Sequence, residues 1–450
     1  MADRFDAVVV GAGPAGEHAV NILLDEGMTV ALVERELIGG ECSNWACIPT
    51  KTLLRPPEVL GESRRAAGVP EPILDFAALA EYRDWMTSAG DDSGRVSGYE
   101  ERGVSVIKGE GRLDGAGRVA VNGRVLETDR VLIATGSVSV IPELEGLENA
   151  GYWTNREATS LHEIPRSAVV VGGGPVGIEL AQFLARFGCQ VTVVHKPDRL
   201  VNREDPQLCS LLQRVLEEDG ITVHTGVSAE RVRPEGDERV VTLDSGDEVR
   251  GEVLIVAVGR RPRVDGLGLE TVGIEPGRRG IAVDERCRAG AGVWAVGDVT
   301  GVMLFTHTGK YQARVAIADM LGRPAKADYR AIPRVIFTNP EVAAVGLTEE
   351  AAREQGIDVA AVTIDLTIEI ARPYTYEQNP RGTLGIVVDR SRDVLVGAWA
   401  LAPLASEWIH QAVLAIRAEV PLDVLRDTVA QFPSYSEAYL SALRKLPSDG

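Results

Sequence analysis

The sequence predicts an α/β chain in which one strand–turn–helix–strand unit is built twice and an α+β region follows. Three observations carry this. Phe5 to Val10, a short apolar run, leads into Gly11-Ala12-Gly13-Pro14-Ala15-Gly16 and an apolar-periodic stretch from Ala19 to Leu24. The same order returns at Ala168 to Val171, Gly172-Gly173-Gly174-Pro175-Val176-Gly177 and Ile178 to Phe187. From Arg334 onward, strand-like runs are separated by turns and then followed by a helical segment, the pattern of an α+β layer.

Length and charge bound what such a chain does. Its 450 residues exceed a single core, so two to four domains are expected. With 66 acidic against 47 basic residues the net charge is -19, and no basic block is present to neutralise phosphates along a nucleic acid. No run approaches 18 apolar residues, and the charged opening from Met1 to Asp6 does not read as a signal peptide. Five scattered cysteines form no extracellular framework. A cytoplasmic protein is expected, without membrane insertion or nucleic-acid partners.

The first unit continues with a strand from Met28 to Val33 that ends in Glu34. Strand, glycine turn, helix, strand and acidic residue in this order form a Rossmann-like dinucleotide fingerprint. Gly11 permits the tight turn, Gly13 lets backbone approach a pyrophosphate, and Gly16 allows close helix–strand contact. Glu34 is placed to accept hydrogen bonds from a ribose, and the helix N-terminus favours the phosphates.

Gly39 to Lys51 follows, with Cys42 and Cys47 five residues apart. On a regular helix they would lie about 7.5 Å apart along the axis and on different faces, which strains a disulfide. The stretch is therefore expected to be irregular near Cys42, as Gly39 and Gly40 allow, and Pro49 suits a helix start. Such a pair is either two inert core thiols or a redox centre. Its place beside the fingerprint favours the second.

Asp84 to Glu101, interrupted by Gly90, Gly94 and Gly98, reads as a helix end and loop. Short strands are expected at Val104 to Gly109 and Val119 to Val121, before Val131 to Gly136 returns to the first unit. In the second unit the strand from Gln190 to Val194 ends in His195-Lys196 where Glu34 stood in the first. Losing that carboxylate removes a ribose acceptor and relieves repulsion against a 2′-phosphate, so NADPH is expected over NADH. Arg199 is either a further contact or a surface charge. Val253 to Gly259 closes the second unit, and Arg260-Arg261-Pro262 is either a solvated turn or a phosphate contact. Val293 to Val296 leads to Gly297-Asp298, and a helix is expected from about Thr308 to Leu321, with His307 just before it. In the last region the strand-like runs include 335–337, 361–364, 384–388 and 394–399, with a helix near 407–419. Phe337, Trp399 and Trp408 are read there as core or interface aromatics.

Together, Gly39 to Lys51, the two fingerprints and Ala295-Val296-Gly297-Asp298 resemble the flavoprotein pyridine nucleotide–disulfide oxidoreductases, the family of dihydrolipoamide dehydrogenase, glutathione reductase and mercuric reductase. The resemblance implies FAD at the first fingerprint, NAD(P)H at the second and a homodimer made mainly by the third region. The expected division is 1–150 for the first part of the FAD domain, 151–270 for the NAD(P)H domain, 271–330 for the second part of the FAD domain and 331–450 for dimerisation. By the same resemblance Cys47 is the flavin-proximal thiol, Cys42 the outer thiol of a redox disulfide, and Lys51 and Glu179 a pair near the flavin. Gly40, Thr135, Gly136, Gly297 and Asp298 fall among the FAD contacts, while Gly172, Gly174, Gly177, His195 and Lys196 belong to the nicotinamide nucleotide. No metal site is expected.

One departure bears on activity. The family's catalytic base is a histidine in an H-P-T-x-S-E-A segment, and this chain reads Phe432-Pro433-Ser434-Tyr435-Ser436-Glu437-Ala438. Phe432 stands at the histidine position and Glu437 is expected to lack its partner. A phenyl ring shuttles no proton, and general acid–base assistance is typically worth about 10² to 10⁴ in rate. The expectation is an FAD-dependent NAD(P)H oxidoreductase that passes electrons to a quinone-like or other small acceptor and is poor at ordinary disulfides. The alternatives are reduction of an unusual disulfide, a thioether-cleaving reductase/carboxylase, and a non-catalytic FAD-binding redox sensor.

Overall fold

The apolar run that opens the chain is a strand, Ala7–Val10, with every residue buried. That suits the middle of a parallel sheet covered on both faces. The computed structural model describes residues 3–446. Its contacts divide the chain into two units: one runs to residue 50 and adds 80–141 and 259–328, the other holds 51–79, 142–258 and the chain from 329 onward.

In the first unit a six-stranded sheet has the order Arg288–Gly290, Val293–Ala295, Val131–Ile133, Ala7–Val10, Val30–Glu34, Ser105–Lys108. All pairs are parallel except the first. The Pro14–Asp25 helix starts at the end of Ala7–Val10 and buries Gly16, Ala19, Val20 and Leu23. Its proline at the first turn needs no N–H donor there. A smaller sheet joins Asp3–Arg4, Arg124–Glu127, Arg118–Val121 and Arg112–Leu113.

The second unit repeats the design. Thr222–Thr225, Gln190–His195, Ser167–Val171 and Val253–Val256 form a parallel sheet in that order. The Pro175–Arg186 helix starts at the end of Ser167–Val171, again with proline in its first turn. The two copies agree in hydrogen bonding: Gly11 N–H donates to the Val33 carbonyl at 2.8 Å, and Gly172 N–H to Val194 at 2.9 Å. The C-terminal part is a five-stranded antiparallel sheet, Arg334–Ile336, Glu341–Gly346, Val394–Ala402, Thr383–Asp389 and Val359–Asp365, with helices beside it.

One stretch departs from the expectation. Residues 84–101 were expected to be a helix end and loop, but Ser93–Glu100 is a helix despite Gly94 and Gly98. Tertiary contacts override the weak propensity. Tyr99 is buried, Arg95 donates to the Ile38 carbonyl at 2.9 Å, and the Asp92 carboxylate accepts from Ile38 N–H and Lys108 at 2.7 Å each.

Candidate active site

The thiol pair is shaped by the two glycines before it. Gly39 and Gly40 have φ of 97° and 54°, in the left-handed region that favours glycine. A Cβ on Gly40 would stand 2.8 Å from Gly13 Cα, so the cysteine stretch is pressed against the first glycine turn. Cys42 lies within a short helix, Gly40–Asn44, and Cys47 opens a long one, Cys47–Arg65. The irregularity expected near Cys42 falls after it, at Trp45, with φ of -140° and ψ of -1°. Asn44 holds the short helix by donating to the Gly40 carbonyl at 2.9 Å. Pro49 is the third residue of the long helix, while Pro56 and Pro57 lie inside it.

Both thiols are half-buried. The Thr306 hydroxyl donates to Cys42 Sγ at 3.1 Å and lies 3.6 Å from Cys47 Sγ. The hydrogen bond with Cys47 and burial push the Cys42 thiol up, while Thr306 and the Lys310 charge oppose them. Thr306 begins the Thr306–Met320 helix, two residues earlier than expected. His307 therefore lies inside the first turn and not before it, stacked on Phe305 at 5.1 Å. Nothing in the sequence marked Thr306, an ordinary hydroxyl ahead of the polar stretch His307-Thr308-Gly309-Lys310.

Asp298 is held by the Ser137 hydroxyl, which donates at 2.6 Å, and burial raises its pKa. Arg260 donates to Ser137 Oγ at 2.8 Å and to its carbonyl at 2.9 Å, and pairs with Glu41 at 3.5 Å. Arg260–Pro262 is a strand paired with Ser137–Ser139 and not the solvated turn of one reading, and Arg260 braces the cysteine stretch against the Ser137–Asp298 contact. Arg261 pairs with Asp265 at 2.8 Å. Thr135 donates to the Arg263 carbonyl at 2.8 Å, and the Gly136 carbonyl accepts from Arg263 N–H at 2.9 Å. Gly297 N–H donates to the buried Gln312 side chain at 2.7 Å.

In the second unit Lys51 and Glu179 form an ion pair at 2.6 Å, with Glu179 buried. The other Glu179 oxygen accepts from Phe337 N–H at 2.9 Å, and Lys51 Nζ stands 4.8 Å from the centre of the Phe337 ring. Phe337, read as a core or interface aromatic, is therefore a third member of this group. A cation over a ring gains about 0.5 to 2 kcal/mol.

Both glycine turns fit a dinucleotide. Cβ atoms on Gly16 and Gly177 would collide with the carbonyls of Gly11 and Gly172, whereas nothing lies within 4 Å of a Cβ on Gly13 or Gly174. The third glycine closes helix against turn; the second leaves open space before a helix whose N-cap makes no side-chain bond. Unsatisfied N–H groups facing open space are what a pyrophosphate needs. Glu34 braces the first turn by accepting from Ala12 N–H and Glu36 N–H, each at 2.7 Å. His195 does the same in the second, its Nδ1 accepting from Gly173 N–H at 2.9 Å. Burial lowers the His195 pKa against a backbone hydrogen bond at Arg199 that opposes it, so the ring is neutral near pH 7 with its proton on the buried Nε2. Lys196 is exposed.

Phe432 is 67% exposed on the second unit. Glu437 begins the Glu437–Arg444 helix and was expected to lack a partner; its carboxylate accepts from Ser434 N–H at 3.0 Å. A backbone donor in the same turn takes one of its oxygens.

Comparison with known proteins decides what these groups belong to. Residues 5–318 match the pyridine nucleotide-disulphide oxidoreductase family, and residues 332–443 match that family's dimerisation domain. The chain belongs to this family. It is 34% identical over 461 residues to a mercuric reductase of Streptomyces lividans, covering 99% of this chain and 97% of that protein. It is 35% identical over 457 residues to a dihydrolipoyl dehydrogenase of Chlorobaculum tepidum, covering 98% and 97%. Among solved structures, the HOCl-induced flavoprotein disulfide reductase RclA of Escherichia coli aligns with a TM-score of 0.87 at 27% identity, covering 98% of this chain and 99% of that one. LpdA of Mycobacterium tuberculosis aligns with a TM-score of 0.87 at 28% identity, with the same coverage. The family member described here is thus an FAD-dependent NAD(P)H oxidoreductase with a redox-active cysteine pair. It carries a homodimerising domain. Among its described residues no helix is long and apolar enough to cross a membrane.

Proposed function

We propose that this oxidoreductase carries reducing equivalents from NADPH to a small acceptor that needs no thiol exchange, such as a quinone, and is slow with ordinary disulfides. Bound FAD would accept hydride from the nicotinamide and pass an electron pair to the cysteines. Cys47 serves as the flavin-proximal thiol and Cys42 as the outer one. Lys51 and Glu179 support the flavin, with Glu34, Gly40, Thr135, Gly136, Gly297 and Asp298 among its binding residues. The single observation that carries the acceptor assignment is Phe432. A solvent-facing hydrocarbon stands where thiol exchange calls for an imidazole, and its ring has no nitrogen to take a proton from the attacking thiol or return it to the leaving one.

The preference for NADPH rests on the end of the Gln190–His195 strand. A neutral imidazole stands where a carboxylate would repel a 2′-phosphate, and Lys196 adds positive charge. We assign residues 1–150 and 271–330 to FAD, 151–270 to NADPH and 331–450 to the dimer, with the Phe432 segment completing the partner's site. The test is stopped-flow reduction of the wild-type flavin by NADPH and by NADH, beside steady-state turnover with glutathione disulfide, lipoamide and a quinone. Fast flavin reduction, quinone turnover and slow disulfide turnover are expected, with kcat/KM favouring NADPH. Disulfide turnover that keeps pace with flavin reduction would overturn the acceptor assignment, and a tenfold preference for NADH would overturn the other.

A further inference from the structure

With no imidazole at position 432, the reduced pair must manage its proton by other means. Two-electron reduction of a Cys42–Cys47 disulfide breaks the S–S bond and, with one proton taken up, leaves one thiol and one thiolate. Which sulfur holds the proton decides which is the nucleophile and which can donate electron density to a neighbouring acceptor. Cys42 sits in the short helix Gly40–Asn44 and Cys47 at the start of Cys47–Arg65. The Thr306 hydroxyl reaches both sulfurs, which also hydrogen-bond each other, donating to Cys42 Sγ at 3.1 Å and lying 3.6 Å from Cys47 Sγ, where either atom can donate.

We propose that Thr306 is a catalytic residue of the cysteine pair, its hydroxyl passing the single proton between the two sulfurs. The step balances without any outside reactant. Thr306 Oγ–H gives its proton to the Cys42 thiolate while Oγ takes the proton of the Cys47 thiol, so that Cys42–S⁻ and Cys47–SH become Cys42–SH and Cys47–S⁻. The hydroxyl ends as it began, and the reverse step restores the outer thiolate. The charged and titratable groups bearing on Cys42 are Cys47 and, one turn beyond Thr306, Lys310, whose positive charge favours the thiolate. Glu41, next to Cys42 on the short helix, is paired with Arg260 and so adds little repulsion.

The inference rests on the redox role given above to the pair, but not on the identity of the acceptor. Its test therefore uses no acceptor. Holoenzyme reduced anaerobically is treated with iodoacetamide across a pH series, and alkylation of Cys42 and of Cys47 is followed separately by peptide mass spectrometry. Removing a hydrogen bond to a charged sulfur should raise the midpoint for Cys42 by about one to two pH units in Thr306→Val. Thr306→Ser, which keeps the hydroxyl, should stay within about 0.3 unit of wild type. Coincident Thr306→Val and wild-type profiles would overturn the proposal. So would a Thr306→Ser profile displaced as far as that of Thr306→Val, since the methyl group would then be the part that matters. Rapid glutathione disulfide turnover by the wild type would sink the acceptor assignment and leave these profiles untouched.

Discussion

Single residues set the chemistry apart from the architecture. Replacing Phe432 by His should raise disulfide turnover, approaching the roughly 10²-fold lower end of general acid–base assistance, and leave the rate of flavin reduction by NADPH unchanged. Glu437 can assist, because Ser434 N–H engages only one of its oxygens. Stopped-flow and steady-state rates of the variant with lipoamide check this; a change confined to flavin reduction would count against it. Asp298 makes a different prediction. Burial raises its folded pKa above that of the unfolded chain, so between those two values the folded state binds more protons. Its contribution to stability is then full at low pH and is lost as pH rises through the folded pKa. Asp298→Asn keeps an acceptor for Ser137 and abolishes that loss. The stability of the variant relative to wild type, from urea unfolding of the cofactor-free protein, should increase with pH above 4. A flat difference would place the carboxylate in water.

At the scale of elements, the two glycine turns separate folding from binding. A Cβ on Gly174 meets nothing, so Gly174→Ala should cost about 1 kcal/mol or less yet weaken NADPH binding by tenfold or more by filling the space before the helix. A Cβ on Gly177 runs into the Gly172 carbonyl, so Gly177→Ala should cost about 2 to 3 kcal/mol through overpacking. Calorimetric titration with NADPH and thermal unfolding distinguish the two; equal stability losses would sink the distinction. These turns were legible in the sequence because their glycines answer to local geometry: positive φ, close approach and a helix start within six residues. The Ser93–Glu100 helix was not, since its two glycines argue against it and its support comes from Ile38 and Lys108, distant in sequence. Thr306 and Phe337 escaped for the same reason. Each reaches its partner, Cys42 or Glu179, across more than 150 residues of chain. Only the fold reveals that they meet.

The molecule as a whole is expected to work as a pair. The family's dimerisation domain spans 332–443 and includes Phe432, so the residue proposed to set acceptor choice and the thiols are proposed to come from different subunits. Light scattering of the FAD-loaded protein should return about twice the 48.2 kDa of one chain. The stronger test asks whether position 432 acts in trans. Wild type has the cysteine pair but Phe432, and a Cys47→Ser/Phe432→His double variant has the histidine but no pair, so each should be slow with lipoamide. Mixed dimers join one intact pair to a histidine from the other subunit. If the segment crosses over, refolding or co-expressing the two chains should produce disulfide turnover that neither parent shows, rising with the fraction of mixed dimer. If residue 432 serves its own subunit, the mixture should give only the average of its parents, even where the single variant Phe432→His is active. That second outcome would return the outer thiol and position 432 to a single chain and remove the need for a partner in this reaction.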